Sequence, residues 1–230
     1  MNPELTAAPA AGAGVGPSGG SGVGAGDGSW ITHRVGATRG YAWLLLVAGA
    51  LGLAAAITLT LEKIRLLENP HYTPSCNINP IISCGSVMRT AQASAFGFPN
   101  SLIGVGAFAV VVTIGVVALT GVRLPRWFWL GLQAGTLFGI GFVCWLIDQT
   151  LYSIGAVCPY CIVVWTATIP LFWFTTVHNL RTGTLPLPSG ARAWVQRTGV
   201  RWAWVVPVAG YAVIVLLVLN RFWWYWSTHM

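Results

Sequence analysis

The chain has 230 residues, of which 55% are hydrophobic and only 7% are charged, and its mean hydropathy is +0.69. A soluble domain usually carries about 25% charged residues, so this composition excludes an ordinary soluble protein and indicates a membrane protein. The net charge is +7. In a membrane protein such an excess reflects loop topology and anionic lipid, so we expect membrane lipid, and no nucleic acid, among its partners.

The domain organisation follows from the apolar runs. Residues 1–38 are predicted to form a disordered, Ala/Gly-rich cytoplasmic tail, because the first 29 contain few large apolar side chains. Five charge-free runs follow, each long enough for one helix of about 20 residues: 40–61, 90–122, 127–147, 149–180 and 202–220. The predicted fold is all-α and integral to the membrane. It divides into a four-helix unit over 39–180 with an outer loop over 62–100, a cytoplasmic loop over 181–201, and a fifth transmembrane helix with a short outer tail over 202–230.

The basic residues predict the orientation, because Arg and Lys concentrate in short cytoplasmic loops. They cluster on the side of the N-terminus: Arg34, Arg39, Arg123, Arg126, Arg181, Arg192, Arg197 and Arg201. We therefore expect a multi-pass protein of the cell inner (plasma) membrane with a cytoplasmic N-terminus. Loop 62–100 and the start of the fourth helix then face outside, where disulfides persist.

Four of the five cysteines form two pairs at this outer face. Cys76 and Cys84 lie in loop 62–100, and Cys158 and Cys161 form a Cys-Pro-Tyr-Cys run at the start of the fourth helix. Thiol–disulfide exchange passes two electrons between neighbouring sulfurs, so two such pairs at one face indicate an electron relay. A static disulfide staple remains the alternative for the loop pair.

The Cys-x-x-Cys run has the features of a helix start. Pro159 suits the first helical turn, which places Cys158 at or next to the N-cap, where the helix dipole favours a thiolate. Cys161 is then one turn deeper on the same side. Such runs also occur in zinc sites and structural disulfides, whereas a haem attachment site would need a histidine where Ile162 stands. No acid or histidine lies near the run, so we predict no metal.

Three further positions carry weaker expectations. Cys144, within the third span, is expected to be a buried packing residue. His178 is expected in a cytoplasmic loop without a functional role. Residues 86–96 are predicted to form a short interfacial helix, with Met88 and Phe96 among the candidates to face lipid.

The order of these motifs resembles the bacterial vitamin K epoxide reductase homologues, the VKOR family. The shared features are the loop cysteine pair, a Phe-Pro-Asn-Ser opening of the second span and the Cys-x-x-Cys start of the fourth, over roughly residues 40–180. The resemblance implies a quinone-dependent thiol-disulfide oxidoreductase that supports disulfide-bond formation. Its four catalytic residues would be Cys76, Cys84, Cys158 and Cys161.

The resemblance also implies a route for electrons. Cys76 would take them from a separate secreted or periplasmic thioredoxin-like (DsbA-like) protein, leaving a Cys76–Cys84 disulfide. Cys84 would exchange with Cys158, and a quinone (menaquinone or ubiquinone, as co-substrate) would re-oxidise the Cys158–Cys161 pair. Cys161 would lie next to the quinone ring, and Asn100 would donate a hydrogen bond to a quinone carbonyl. Asn100 could equally be an N-cap of the second span. The alternative function is a structural membrane protein whose outer loops are stapled by two disulfides.

Overall fold

The computed structural model describes residues 33–79, 81–185 and 203–223. The predicted disordered tail lies outside the described residues as far as residue 32, and so do most of loop 181–201 and residues 224–230. At the end of that tail the structure differs from the prediction. Residues Arg34–Val35 form a short strand, β1, which pairs antiparallel with β2, Leu124–Pro125.

All other regular elements of the described chain are helical, which confirms the predicted all-α fold. The elements in chain order are α1 (Arg39–Glu68), α2 (Cys84–Met88), a 3-10 turn (Ala91–Ser94), α3 (Asn100–Leu119), α4 (Arg126–Asp148) with a following π-helical turn (Gln149–Ile154), α5 (Pro159–Arg181) and α6 (Val205–Arg221).

Four of these helices are long and apolar enough to cross a membrane: α1, α3, α4 with its π-helical turn, and α5. The fifth, α6, is apolar but has only 17 residues, fewer than the roughly 20 that a straight span needs. Helix α1 continues past residue 61, where its charge-free run stops, to Glu68. Its last turns carry charged side chains. Such charges mark the edge of the apolar layer of the membrane, but they do not end the helix.

The bundle is built around α1, which packs along α3 and α5, while α4 packs on α5. Glycines allow the closest approach. A Cβ added at Gly115 of α3 would lie 2.7 Å from the backbone nitrogen of Leu46 in α1, and one added at Gly52 would meet the ring of Phe108. Small residues at helix interfaces let backbones come together in this way. Helices α3 and α4 are not packed extensively against each other, so an apolar space remains between them.

His178 lies in the last turn of α5 and not in a loop, so that prediction is wrong. Its side chain is buried, with its ring 4.7 Å from the ring of Tyr41 and 4.5 Å from that of Trp129. Aromatic side chains from α1 and α4 thus cover the last turn of α5, which continues to Arg181. The contacts among these three rings depend on how the helices pack, which the hydrophobic periodicity of the sequence alone does not reveal.

Candidate functional site

The loop that carries the first cysteine pair is held in shape by two asparagines. Oδ1 of Asn77 accepts a hydrogen bond from the amide of Gly85 at 2.9 Å. Oδ1 of Asn79 accepts hydrogen bonds from two backbone amides further along the loop, at 3.0 and 2.7 Å. Asparagine side chains commonly replace backbone partners in turns in this way. The loop closes on a disulfide between Cys76 and Cys84.

A short backbone bridge joins this loop to the start of α5. Ile82 and Val157 form a parallel β-bridge, with two backbone hydrogen bonds of 2.7 and 3.1 Å around it. Cys84 follows Ile82 by two residues, and Cys158 follows Val157 directly. The bridge therefore brings the two cysteine pairs together, and the sulfurs of Cys84 and Cys158 lie 3.0 Å apart. A disulfide bond is about 2.05 Å long, so a shift of about 1 Å separates contact from a covalent bond.

The Cys-x-x-Cys run starts α5 as predicted. Cys158 is the N-cap and Pro159 is the first helical residue. Cys158 lies just before the membrane helix, and a hydrogen bond from the thiol of Cys161 lowers the pKa of Cys158. The positive end of the helix dipole favours the thiolate in the same direction. Cys158 is thus suited both to attack a disulfide and to leave one.

The cysteines form a buried cluster. Cys76 is 6% exposed, Cys158 is 1% exposed and Cys84 is fully buried. Leu66 of α1 and Met88 of α2 complete the cluster. Cys76 is therefore the least buried of these three sulfurs. Cys161 also packs against the cluster and is only partly buried.

Residues 86–96 form two short pieces, α2 and the turn Ala91–Ser94, where one interfacial helix was predicted. Met88 is 5% exposed and packs in the cysteine cluster, so the prediction that it faces lipid is wrong. Phe96, by contrast, is 52% exposed. The helix starts earlier than expected because Ser83 caps it, accepting a hydrogen bond from the amide of Ser86 at 3.2 Å. That Ser-x-x-Ser signal was present in the sequence.

A cavity of about 520 Å³ extends from the Cys-x-x-Cys pair into the bundle, between α1, α3, α4 and α5. Cys158, Cys161 and Asn100 lie at the end of the cavity near the loop. The remaining wall is mostly apolar, and its large side chains include Phe108, Ile114, Phe128, Leu132, Phe142, Trp165 and Leu171. The cavity thus combines a thiol and an amide with a long apolar interior, which suits a lipid-soluble ring carrying a few polar atoms.

Asn100 is the first residue of α3, and its side chain makes no capping bond. Pro99 occupies the N-cap position instead, so the N-cap alternative is wrong. Nδ2 of Asn100 donates to the carbonyl of Gln92 at 2.7 Å, and its Oδ1 accepts from the amide of Ala95 at 3.0 Å. The side chain therefore ties α3 to the 3-10 turn. Since an amide group has two N–H donors, one remains for a molecule in the cavity.

Two charged residues near the cysteines, Glu62 and Lys63, directly follow the first charge-free run and were not singled out in the sequence. Glu62 is 4% exposed, and its Oε1 accepts a hydrogen bond from the hydroxyl of Ser75 at 2.9 Å. Lys63 lines the cavity and donates to the carbonyl of Met88 at 2.6 Å. Their position, immediately after a span and shortly before Cys76, was the available signal.

Cys144 is exposed on α4, so the prediction of a buried packing residue is wrong. The buried positions of α4 include Val143 and Ile147, which lie on a different face of the helix. On a membrane helix that outer face meets lipid, where a small apolar thiol is as acceptable as in a core. Hydrophobicity alone does not distinguish the two environments.

The comparisons with known proteins agree with this arrangement. A search of curated proteins found no significant match. The family model described as "Vitamin K epoxide reductase family" matches residues 43–176, which is more than half of the chain. The matched segment contains both cysteine pairs and Asn100. The chain therefore belongs to the vitamin K epoxide reductase family.

Proposed function

We propose that this membrane oxidoreductase passes electrons from a separate secreted or periplasmic thioredoxin-like protein, through its two cysteine pairs, to a membrane quinone. It thereby supports disulfide-bond formation. Members of its family are in general membrane thiol oxidoreductases linked to quinones and thioredoxin-like partners. The observation that carries the proposal is the 3.0 Å distance between the sulfurs of Cys84 and Cys158, which joins the two pairs into one path.

The internal transfer needs two exchanges. The thiolate of Cys84 attacks Cys158 of an oxidised Cys158–Cys161 pair, so a Cys84–Cys158 bond forms and Cys161 leaves. Cys76 then attacks Cys84, so the Cys76–Cys84 disulfide forms and Cys158 leaves as a thiolate. Two electrons have then moved to the Cys-x-x-Cys pair. The arrangement with Cys76–Cys84 joined and with Cys158 and Cys161 free corresponds to the product of this transfer.

The lining of the cavity supports the proposal that a quinone, either menaquinone or ubiquinone, is the final electron acceptor. The thiolate of Cys158 and the thiol of Cys161 give up two electrons to the quinone and become a disulfide; one proton comes from Cys161 and the second from water. Asn100 would hold a quinone carbonyl with its free N–H, and Cys161 would face the ring. The apolar walls would hold the rest of the molecule and exclude water from the thiols.

The exposure of the cysteines supports the direction of the path. Of the three cysteines nearest the loop, Cys76, Cys84 and Cys158, Cys76 is the most exposed at 6%, whereas the more exposed Cys161 lines the cavity inside the bundle. Cys76 is therefore the natural contact for a thioredoxin-like partner. Combined with the Arg distribution, this supports the proposal that the cysteine face lies outside the cell inner membrane and the N-terminus in the cytoplasm.

The test is quinone reduction by the purified protein, with dithiothreitol as the electron donor and a short-chain ubiquinone as the acceptor. Cys161→Ala should abolish turnover, because the thiol next to the acceptor is lost. Cys144→Ala is the matched control, since it removes an exposed cysteine from α4, and it should keep most activity. If the unaltered protein left the quinone oxidised while its disulfides stayed intact, the structural-staple alternative would hold instead.

A further inference from the structure

Glu62 is a buried carboxylate that the electron path does not use. Its Oε1 accepts a hydrogen bond from the hydroxyl of Ser75, while its Oε2 is buried and has no hydrogen-bond partner. A buried carboxylate oxygen without a hydrogen-bond partner is costly, and the charge of Arg65 acts on Glu62 only from a fully exposed position. The neighbouring cation does not compensate, because the ammonium group of Lys63 donates to the carbonyl of Met88. The cost of burying this carboxylate points to a functional role for Glu62.

The position of Glu62 on α1 directs it toward the cysteines. Leu59 and Leu66, three residues before it and four residues after it, both pack in the cysteine cluster. Residues with this spacing share one face of a helix. Glu62 therefore lies on the face of α1 that meets Cys76, Cys84 and the start of α5.

Ser75 connects this carboxylate to water. It immediately precedes Cys76 in the chain, and its side chain is exposed whereas Glu62 is buried. The hydrogen bond of 2.9 Å between them forms a short path from solvent to the buried cluster. Arg65, on the next turn of α1, is exposed and donates to the hydroxyl of Tyr72 at 3.5 Å. The other titratable groups packed against this face are Tyr160 of α5 and the cysteine thiols.

We propose that Glu62 accepts the proton of Cys76 when the Cys76–Cys84 disulfide closes, and that Ser75 passes this proton to water. In this step the thiol of Cys76 attacks Cys84, the Cys76–Cys84 bond forms, and the Cys84–Cys158 bond breaks. The proton of Cys76 moves to the carboxylate of Glu62, and Cys158 leaves as a thiolate. Charge and electrons therefore balance without another reactant. The proposal deepens the proposed function and rests on it.

The experiment follows one internal transfer. The full-length protein is reduced with dithiothreitol, desalted and mixed with a short-chain ubiquinone at pH values from 5.5 to 9. Alkylation at successive times and mass spectrometry then report two events separately: oxidation of Cys158 with Cys161, and formation of the Cys76–Cys84 disulfide. If the unaltered protein fails in the first event, the proposed function is wrong. The role of Glu62 is decided by the second event.

Glu62→Gln keeps an acceptor for Ser75 but cannot take a proton. It should leave the first event unchanged and slow disulfide closure about 10²-fold near pH 6.5, the lower end of the range for general acid–base catalysis. The deficit should shrink toward pH 9, because a thiol with a pKa of about 8.5 ionises there without help. Glu62→Asp keeps a carboxylate and should recover the pH profile of the unaltered protein.

Two controls exclude a merely structural role. Glu68→Gln removes the same charge from an exposed position of α1 and should change neither event. Ser75→Ala removes the tether but keeps the carboxylate, so it should slow closure only a few-fold. The proposal is overturned if Glu62→Gln closes the disulfide within threefold of the unaltered rate. It is also overturned if the loss is equal at every pH, or if Glu68→Gln or Ser75→Ala reproduces it in full.

Discussion

Asn100→Ala separates the structural role of this side chain from its proposed contact with the quinone. The variant removes two hydrogen bonds, from Nδ2 to the carbonyl of Gln92 and from the amide of Ala95 to Oδ1. Each is worth about 0.5–1.5 kcal/mol, so the free energy of unfolding should fall by about 1–3 kcal/mol. The 3-10 turn Ala91–Ser94 should loosen while the bundle remains folded.

The effect on the reaction should be larger and confined to one half of it. A donor that stabilises the charge developing on an oxygen is typically worth about 10²–10³ in rate. Asn100→Ala should therefore slow oxidation of the Cys158–Cys161 pair by the quinone by that factor. Reduction of the Cys76–Cys84 disulfide by dithiothreitol should change by less than about threefold.

The assay measures both half-reactions by stopped flow and the melting temperature of the same preparation. Thr60→Val is the matched control, because it removes a hydroxyl that bonds Ser101 at 2.9 Å, at the same end of α3. Thr60 itself does not line the cavity, and the variant keeps Ser101, which does. It should cost about 0.5–1.5 kcal/mol of stability and leave both rates near normal. Equal slowing of both half-reactions in Asn100→Ala, or equal effects of the two variants on quinone reduction, would refute the contact with the quinone.

Two further predictions concern the sulfur path and the helix packing. Cys76→Ser should accumulate a Cys84–Cys158 disulfide, detected by non-reducing peptide mapping. The thiolate of Cys84 attacks Cys158, whose sulfur lies 3.0 Å away, and without the thiol of Cys76 no second exchange releases Cys158 from the new bond. Absence of the crosslink would argue against the path. Gly115→Ala should lower the free energy of unfolding by about 1–3 kcal/mol through overpacking. Gly106→Ala is the control and should not destabilise the protein, because nothing lies within 4 Å of its added Cβ. Similar melting temperatures for the two variants would contradict the close packing of α1 and α3.

The sequence was sufficient to predict the features that depend on local chemistry. Pro159 after Cys158 predicted a helix start with a cysteine at its N-cap, and the structure has both. The alternation of apolar runs placed the two cysteine pairs at the same end of the bundle. The hydropathy of each span and the alternation of successive spans across the membrane can be predicted from the sequence, because the bilayer imposes both on every span.

What could not be predicted is which neighbour each side chain meets. Met88 and Cys144 have similar hydrophobic character, yet one packs among the cysteines and the other is exposed on α4. Glu62 directly follows a charge-free run, which gives no sign of burial, and it is buried where Ser75 of the loop bonds it. Asn100 follows a proline at a helix start, which suggests a cap, but its partners lie in a turn whose position depends on the tertiary fold.

The bridge between Ile82 and Val157 has a mechanical consequence for the relay. It consists of backbone hydrogen bonds, so it holds in the same way whichever pair of sulfurs is joined at a given moment. The chain segments before Cys84 and Cys158 therefore do not have to travel between successive exchanges. In the proposed path, Cys76, at the other end of the loop, exchanges with a second protein, and the Cys158–Cys161 pair reacts with the quinone. The diffusional encounters are thereby restricted to the loop surface and the cavity, and transfer between the two pairs requires a sulfur displacement of about 1 Å.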